Sequence, residues 1–290
     1  MLMPYAARRR LVRLAGIAAL VCATAYADDT TVPYVPTPQD VVERMLQLGK
    51  VGPNDYLIDL GSGDGRIVVT AAKKYGTRGF GVDLDPQRVA EAKTNARKAG
   101  VAEKVAFYRR DLFETDLAAA TVVTMYLLPE VNMMLRPKLL ALKPGTRIVS
   151  HDFSMAEWQP DELVSMRSPR KYAGSGGTSE IYLWIVPARV AGTWAWTLPL
   201  RGAQVRYELE AQQHYQMLAA TVRVAGRPVR VDSATLSGDR VHVAFTADVG
   251  GEPVKHVYAG KVEGNRIDGA VALTGARFDS EQDWHASRPR

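Results

Sequence analysis

Asp59-Leu60-Gly61-Ser62-Gly63-Asp64-Gly65-Arg66 is the stretch that decides the fold. It overlaps the apolar run Tyr56 to Leu60, which reads as a buried strand, and it precedes Ile67 to Tyr75, which reads as a helix. A glycine-rich turn from strand to helix lets a ligand approach the backbone and presents free N–H groups. A dinucleotide fingerprint would need glycine where Arg66 stands, and a phosphate loop would need Gly-Lys-Ser/Thr. The loop carries Asp59 and Asp64 instead, a poor lining for pyrophosphate and a good one for a cation. Gly61, Gly63, Gly65 and Asp59 are therefore candidate cofactor-binding residues.

Reading outward, two further acids stand at predicted strand ends. Gly79 to Leu84 reads as the second strand, and Asp83 near its end can accept both hydroxyls of a ribose. Val105 to Arg109 reads as the third strand. Just past it, Asp111 can accept from an adenine amino group while apolar Leu112 and Phe113 cover the ring. Each acid alone suits a turn or a helix cap. Three of them at consecutive strand ends beside a glycine loop describe a nucleoside site.

The surrounding pattern agrees. Thr37 can cap a helix that begins near Pro38 and carries Val41, Val42, Met45, Leu46 and Leu48 on one face. Asp85-Pro86 starts another helix, and Gly100 stops it. Thr121 to Met125 and Arg147 to Ser150 read as the fourth and fifth strands, with an apolar helix around Val131 to Leu142 between them. Alternating strands and helices imply a parallel sheet covered on both faces. Leu163 to Arg167 and Glu180 to Val186 then follow without a helix, joined through Gly174-Ser175-Gly176-Gly177, which predicts an antiparallel hairpin at the sheet edge. The ligand of such a sheet lies at the carboxyl ends of its strands.

Together these residues resemble the class I S-adenosylmethionine-dependent methyltransferases over roughly 32–186. The resemblance aligns Asp59 to Gly65 with the family's first motif, Asp83 with its ribose-binding acid and Asp111 with its adenine-binding acid. It implies an α/β, Rossmann-like seven-stranded sheet with an antiparallel last strand, and S-adenosyl-L-methionine as cofactor. Val32-Pro33-Tyr34-Val35-Pro36-Thr37 and Thr124-Met125-Tyr126-Leu127-Leu128-Pro129 look like the corresponding segments of mitochondrial protein-lysine methyltransferases and their bacterial relatives. That closer likeness implies a protein substrate, with a lysine of a membrane protein as one such acceptor. It also implies that Tyr34 folds over the donor and that Thr37 belongs to the donor site.

The reaction so implied is in-line displacement at a sulfonium methyl group, which leaves the protein to orient the reactants and exclude water. A lysine acceptor with a pKa near ~10.4 is neutral in only about one molecule in two thousand at pH 7, which costs ~4–5 kcal/mol. Tyr126 and Tyr34 can shape an apolar slot that lowers this cost, and His151, followed by Asp152, can supply a base or a polar anchor. Tyr126 and His151 are the catalytic candidates. Glu130 reads as a first-turn helix acid.

Residues 1 to 27 read as an address. Arg8, Arg9, Arg10 and Arg13 form a basic start, Leu14 to Ala27 a short apolar region, and Ala25-Tyr26-Ala27 a cleavage pattern. The same arginines resemble a twin-arginine export signal and equally suit a plain Sec signal with a basic start. An exported chain in the periplasm or cell envelope is expected, with peripheral membrane association open to it. The only cysteine, Cys22, lies within this segment and excludes an internal disulfide framework. The 290-residue chain has a formal charge of +6. Without these four arginines it holds 33 basic against 31 acidic residues, which gives no electrostatic case for nucleic acid.

Beyond about residue 188 the pattern changes to period-two alternation, which predicts a C-terminal all-β accessory domain, a meander or small barrel, over 188–290. The methyltransferase domain is then 28–187. Leu236 to Val241 and Val262 to Ile267 are similar pieces, each with a hairpin turn, Gly238-Asp239 and Gly264-Asn265. Trp194, Trp196 and Trp284 are expected in its core. His214, His242, His256 and His285 lack metal-ligand spacing. Two rival readings remain at the level of sequence: a nicotinamide-dependent oxidoreductase, and a non-catalytic envelope protein that keeps the fold.

Overall fold

The computed structural model describes residues 34–171 and 177–289. The expected signal segment, Val32 and Pro33, and the loop residues Gly174 to Gly176 lie outside the described residues.

The first half of the chain runs α1 (Gln39–Leu48), β1 (Tyr56–Leu60), α2 (Arg66–Tyr75), β2 (Arg78–Asp83), α3 (Pro86–Lys98), β3 (Val105–Arg109), β4 (Val122–Met125), α4 (Pro129–Leu140), β5 (Arg147–His151), β6 (Glu162–Arg167) and β7 (Thr178–Ile185). These strands form one mixed sheet in the order β3-β2-β1-β4-β5-β7-β6. β1 to β5 are parallel, and β7 enters antiparallel between β5 and β6. Successive side chains of a strand face opposite sides of the sheet. Leu57 accordingly joins Val41, Met45 and Val68 on the face covered by α1 to α3. Ile58 and Leu60 join Val131, Leu135 and Leu139 of α4 on the other, where Trp158 and Trp184 complete the core.

Helix α1 starts one residue later than a Thr37 cap requires. Pro38 is its N-cap residue, no side chain caps it, and Val42 N–H bonds to Pro38 O at 2.9 Å. Thr37 is thereby released from the helix and turns its hydroxyl to His151. Asp85 does cap α3, accepting from Gln87 N–H at 2.7 Å with Pro86 in the first turn.

The second half is antiparallel throughout: β8 (Gly192–Leu200), β9 (Ala203–His214), β10 (Met217–Val224), β11 (Arg227–Val229), β12 (Val231–Ser237), β13 (Arg240–Asp248), β14 (Pro253–Glu263), β15 (Arg266–Gly275) and β16 (Phe278–Ser287). The strand order is β11-β10-β9-β8-β16-β15-β14-β13-β12, and the two ends approach each other, β10 facing β12. The sheet is nearly closed around Trp196, Tyr207, Phe245, Tyr258 and Trp284. Gly238 and Gly264 begin two-residue turns at φ 57° and 60°, which fits glycine at the first position of a hairpin turn.

Candidate active site

The glycine loop leaves β1 and enters α2 with Gly61, Gly63 and Gly65 at φ 75°, 51° and 77°. Two of these glycines are also required by close approach. A Cβ on Gly65 would lie 2.6 Å from the Phe107 ring and 2.8 Å from Ala92. A Cβ on Gly63 would lie 2.5 Å from the ring of Tyr34. Tyr34 thus lies over the loop, with the Arg88 guanidinium 4.3 Å from its ring centroid. Burial and the nearby Asp64 carboxylate raise the Tyr34 phenol above its ordinary pKa.

The loop is tied to its surroundings by carboxylates. Asp83 Oδ2 accepts from Gly63 N–H at 2.8 Å, and Asp83 Oδ1 accepts from Asp85 N–H at 2.9 Å. An ionised carboxylate offers about four lone-pair sites. Asp83 therefore positions the loop and keeps capacity for two further donors, such as ribose hydroxyls. Asp111 Oδ1 accepts from Phe113 N–H at 2.7 Å, closing a turn that sets Leu112 against the α4-side core. Asp64 pairs with Arg66 at 2.6 Å, and Arg66 Nη1 donates to Thr37 O at 2.7 Å. Asp64 is therefore neutralised within the chain, which leaves Asp59 as the loop's uncompensated acid.

Asp59 is fully buried. Its Oδ1 accepts from Thr124 Oγ1 at 2.7 Å, while its Oδ2 has no partner among the described residues. Burial pushes its pKa up to about 7, with the neighbouring charges of Asp64 and Asp83 adding to the effect. Ser62 Oγ in the same loop is also buried without a partner among the described residues. An unmatched buried carboxylate oxygen is costly unless something cationic satisfies it. The residues present thus fit a positively charged nucleoside: an open acid and hydroxyl in the loop, Asp83 and Asp111 at successive strand ends, and an aromatic cover.

A second cluster stands at the ends of β4 and β5. His151 is fully buried, with Nδ1 3.3 Å from Thr37 Oγ1 and Nε2 3.0 Å from Ser179 Oγ. Burial lowers its pKa to about 4; Lys171 adds to this, and Asp152 opposes it. The imidazole is therefore neutral near pH 7. The Tyr126 ring lies 4.0 Å from that of His151 and stacks on Phe153 at 6.1 Å between centroids. Tyr126 OH donates to Asp152 Oδ2 at 3.2 Å. Contacts thus run from the loop to β5 through Arg66, Thr37, His151 and Tyr126, with Tyr34 and Asp83 on the loop's Gly63, while Asp59 is bonded to Thr124 of β4. Arg66, Asp152, Lys171 and Ser179 also belong to this network. Arg66, which interrupts the dinucleotide fingerprint, stands two residues from Asp64, and that spacing is the sequence signal for the pair.

The sequence profile of the ANTKMT methyltransferase domain matches residues 59–162. A protein-lysine N-methyltransferase of Saccharolobus islandicus is 45% identical over 157 residues, which is 53% of this chain and 94% of that enzyme. The mouse adenine nucleotide translocase lysine N-methyltransferase is 39% identical over 153 residues, 51% of this chain and 66% of that protein. A solved RNA methyltransferase of Salinibacter ruber, in complex with S-adenosyl-L-homocysteine, shares 50% identity over 54% of this chain and 96% of its own, with a TM-score of 0.48. The domain match and the likeness to the Saccharolobus enzyme replace the nicotinamide reading. With a loop built for a cationic nucleoside and near-complete coverage of the Saccharolobus enzyme, the chain belongs to the S-adenosylmethionine-dependent protein-lysine N-methyltransferase family that carries the ANTKMT methyltransferase domain.

Proposed function

We propose that this protein methylates the ε-amine of a lysine in a protein acceptor. The observation that carries this is the juxtaposition of the cation-fitted loop with the aromatic and carboxylate cluster of Tyr126, Phe153 and Asp152. Aromatic faces and a carboxylate together suit an ammonium group. The likeness to the Saccharolobus protein-lysine enzyme supports the same acceptor chemistry.

In this reading Asp83 and Asp111 hold the sugar and base of the donor, the backbone of Gly61 to Gly65 lines its path, and Tyr34 covers it. Asp59 balances its positive charge. The donor supplies a methyl group on sulfur, activated by the sulfonium charge. Tyr126 borders the slot in which the acceptor nitrogen, its lone pair free, is oriented. His151 acts as a positioning residue: buried, neutral and bonded through both nitrogens, it fixes Thr37 against β7 and holds the Tyr126 ring, while the acceptor's proton leaves to solvent.

We further propose that 28–187 forms the catalytic domain and 188–290 an accessory domain that recruits the acceptor. Export to the periplasm or envelope, directed by 1–27, would place the protein near membrane proteins as acceptors. The test is incubation of the purified chain with labelled donor and separate protein, RNA and envelope fractions. Label on lysines of protein supports the proposal; label confined to RNA, or on no fraction, overturns it.

A further inference from the structure

Asp152 directly follows β5 in the left-handed backbone region, at φ 62°. Non-glycine residues held there carry strain that the surroundings must impose, and such residues concentrate at functional sites. The imposition is visible. Asp152 N–H donates to Glu180 O at 2.7 Å, and Asp152 Oδ1 accepts from Glu180 N–H at 3.0 Å, so β7 holds both backbone and side chain. This turn leaves Oδ2 directed at a different set of groups. It accepts from Tyr126 OH and lies 2.6 Å from Lys171 Nζ and 3.4 Å from His151 Nε2.

Lys171 completes the arrangement. Its ammonium also donates to Thr178 O at 2.5 Å, and its side chain is 7% exposed. Lys171 lies outside every helix and strand, so no ladder or helical packing requires it there. A buried ion pair adds little net stability, because desolvation offsets the attraction. What the pair does reproduce is the chemistry of a bound lysine: an ammonium on a carboxylate, beside the tyrosine that follows β4. The same cluster reaches the donor loop through His151, Thr37 and Arg66.

We propose that Asp152 is the seat for the acceptor's ε-ammonium, and that Lys171 occupies this seat as an internal stand-in which an incoming lysine displaces. This rests on the reading of the acceptor as a lysine. Asp152 is then a specificity residue, and Lys171 restrains turnover until an acceptor competes for the carboxylate.

The test uses the full chain, with n-propylammonium as a probe of the seat and polylysine as acceptor. K171A empties the seat; K171R keeps a cation on it; K171A/D152N removes it. Calorimetry should show n-propylammonium binding to K171A at least tenfold more tightly than to the wild type, K171R or the double variant. The KM for polylysine should fall about fivefold or more in K171A, and n-propylammonium should compete with polylysine in that variant. Equal amine binding in wild type and K171A overturns the proposal, as does binding that survives D152N. K171M, which keeps the apolar stem, repeats the test if K171A does not fold. If neither folds, Lys171 is a strut and the proposal fails. A wild type that passes no label to any protein lysine refutes the lysine reading instead, and the amine-binding arm still decides the seat.

Discussion

Asp59 and Asp83 show how much a single carboxylate can be asked to do. Asp83 already accepts two backbone N–H groups, one of them from the glycine loop. D83N keeps the shape but loses the charge that holds the loop and that, in the proposed function, also holds the ribose of the donor. Donor affinity measured by calorimetry should fall at least tenfold, since hydrogen bonds to charged groups are worth ~1.5–3 kcal/mol. Asp59 gives a pH signature. Its carboxyl titrates at about 7 in the free protein, above its ordinary value. A cationic donor favours the ionised form, so below that pH binding must release a proton. Affinity should therefore drop by up to tenfold for each pH unit from about 7 toward 5.5, and D59N should flatten the profile. The raised value also means that Asp59 favours the folded state at low pH, and that this contribution fades as pH rises through about 7. The glycines and strand-end acids were legible because their chemistry is local. The Asp152–Lys171 pair was not, because it depends on one left-handed residue and on pairing across β7.

Among the elements, the strands and helices that bury an apolar stripe were legible to within a few residues. β11, β12 and β16 were not. β16 reads Phe-Asp-Ser-Glu-Gln-Asp-Trp-His-Ala-Ser, and only Trp284 and Ala286 on it are buried. Its alternation is too sparse to signal a strand, and its place comes from pairing with β15 along its whole length. The Thr37 cap failed for the opposite reason: a good local signal lost to a tertiary partner, His151. The turn into α2 offers an element-scale test. G63A puts a Cβ against Tyr34 and holds alanine at positive φ. It should destabilise the fold by about 1–2 kcal/mol and weaken donor binding by displacing the cover. Thermal unfolding and calorimetry read the two effects separately, and a variant with unchanged values for both would show that the cover is not held by the loop.

On the scale of the whole molecule, the two sheets meet through a small set of contacts. Tyr215 stacks on Trp158 at 5.8 Å, Gln216 Oε1 accepts from Trp158 Nε1 at 3.1 Å, and Gln216 Nε2 donates to Gln159 O at 2.6 Å. Y215A removes the stack on Trp158, worth about 0.5–1.5 kcal/mol beyond its area, together with the contacts of the same ring to His214 at 4.5 Å and to the Arg136 guanidinium at 5.9 Å. The melting temperature should drop by a few degrees, at roughly 2–4 °C per kcal/mol for a chain of this size. An unchanged melting temperature would show that the aromatic stack does not hold the sheets together. The family match ends at residue 162, before the second sheet begins at Gly192, so the acceptor-recruiting role proposed for that sheet rests on this chain alone.

The near closure of that second sheet has its own outcome. Open strand rims are templates onto which other chains zip and polymerise. Here the seam lies between the three-residue β11 and β12, with β10 drawn up opposite. The rims that remain are the three residues of β11 and the seven of β12, short templates for a second chain to pair with.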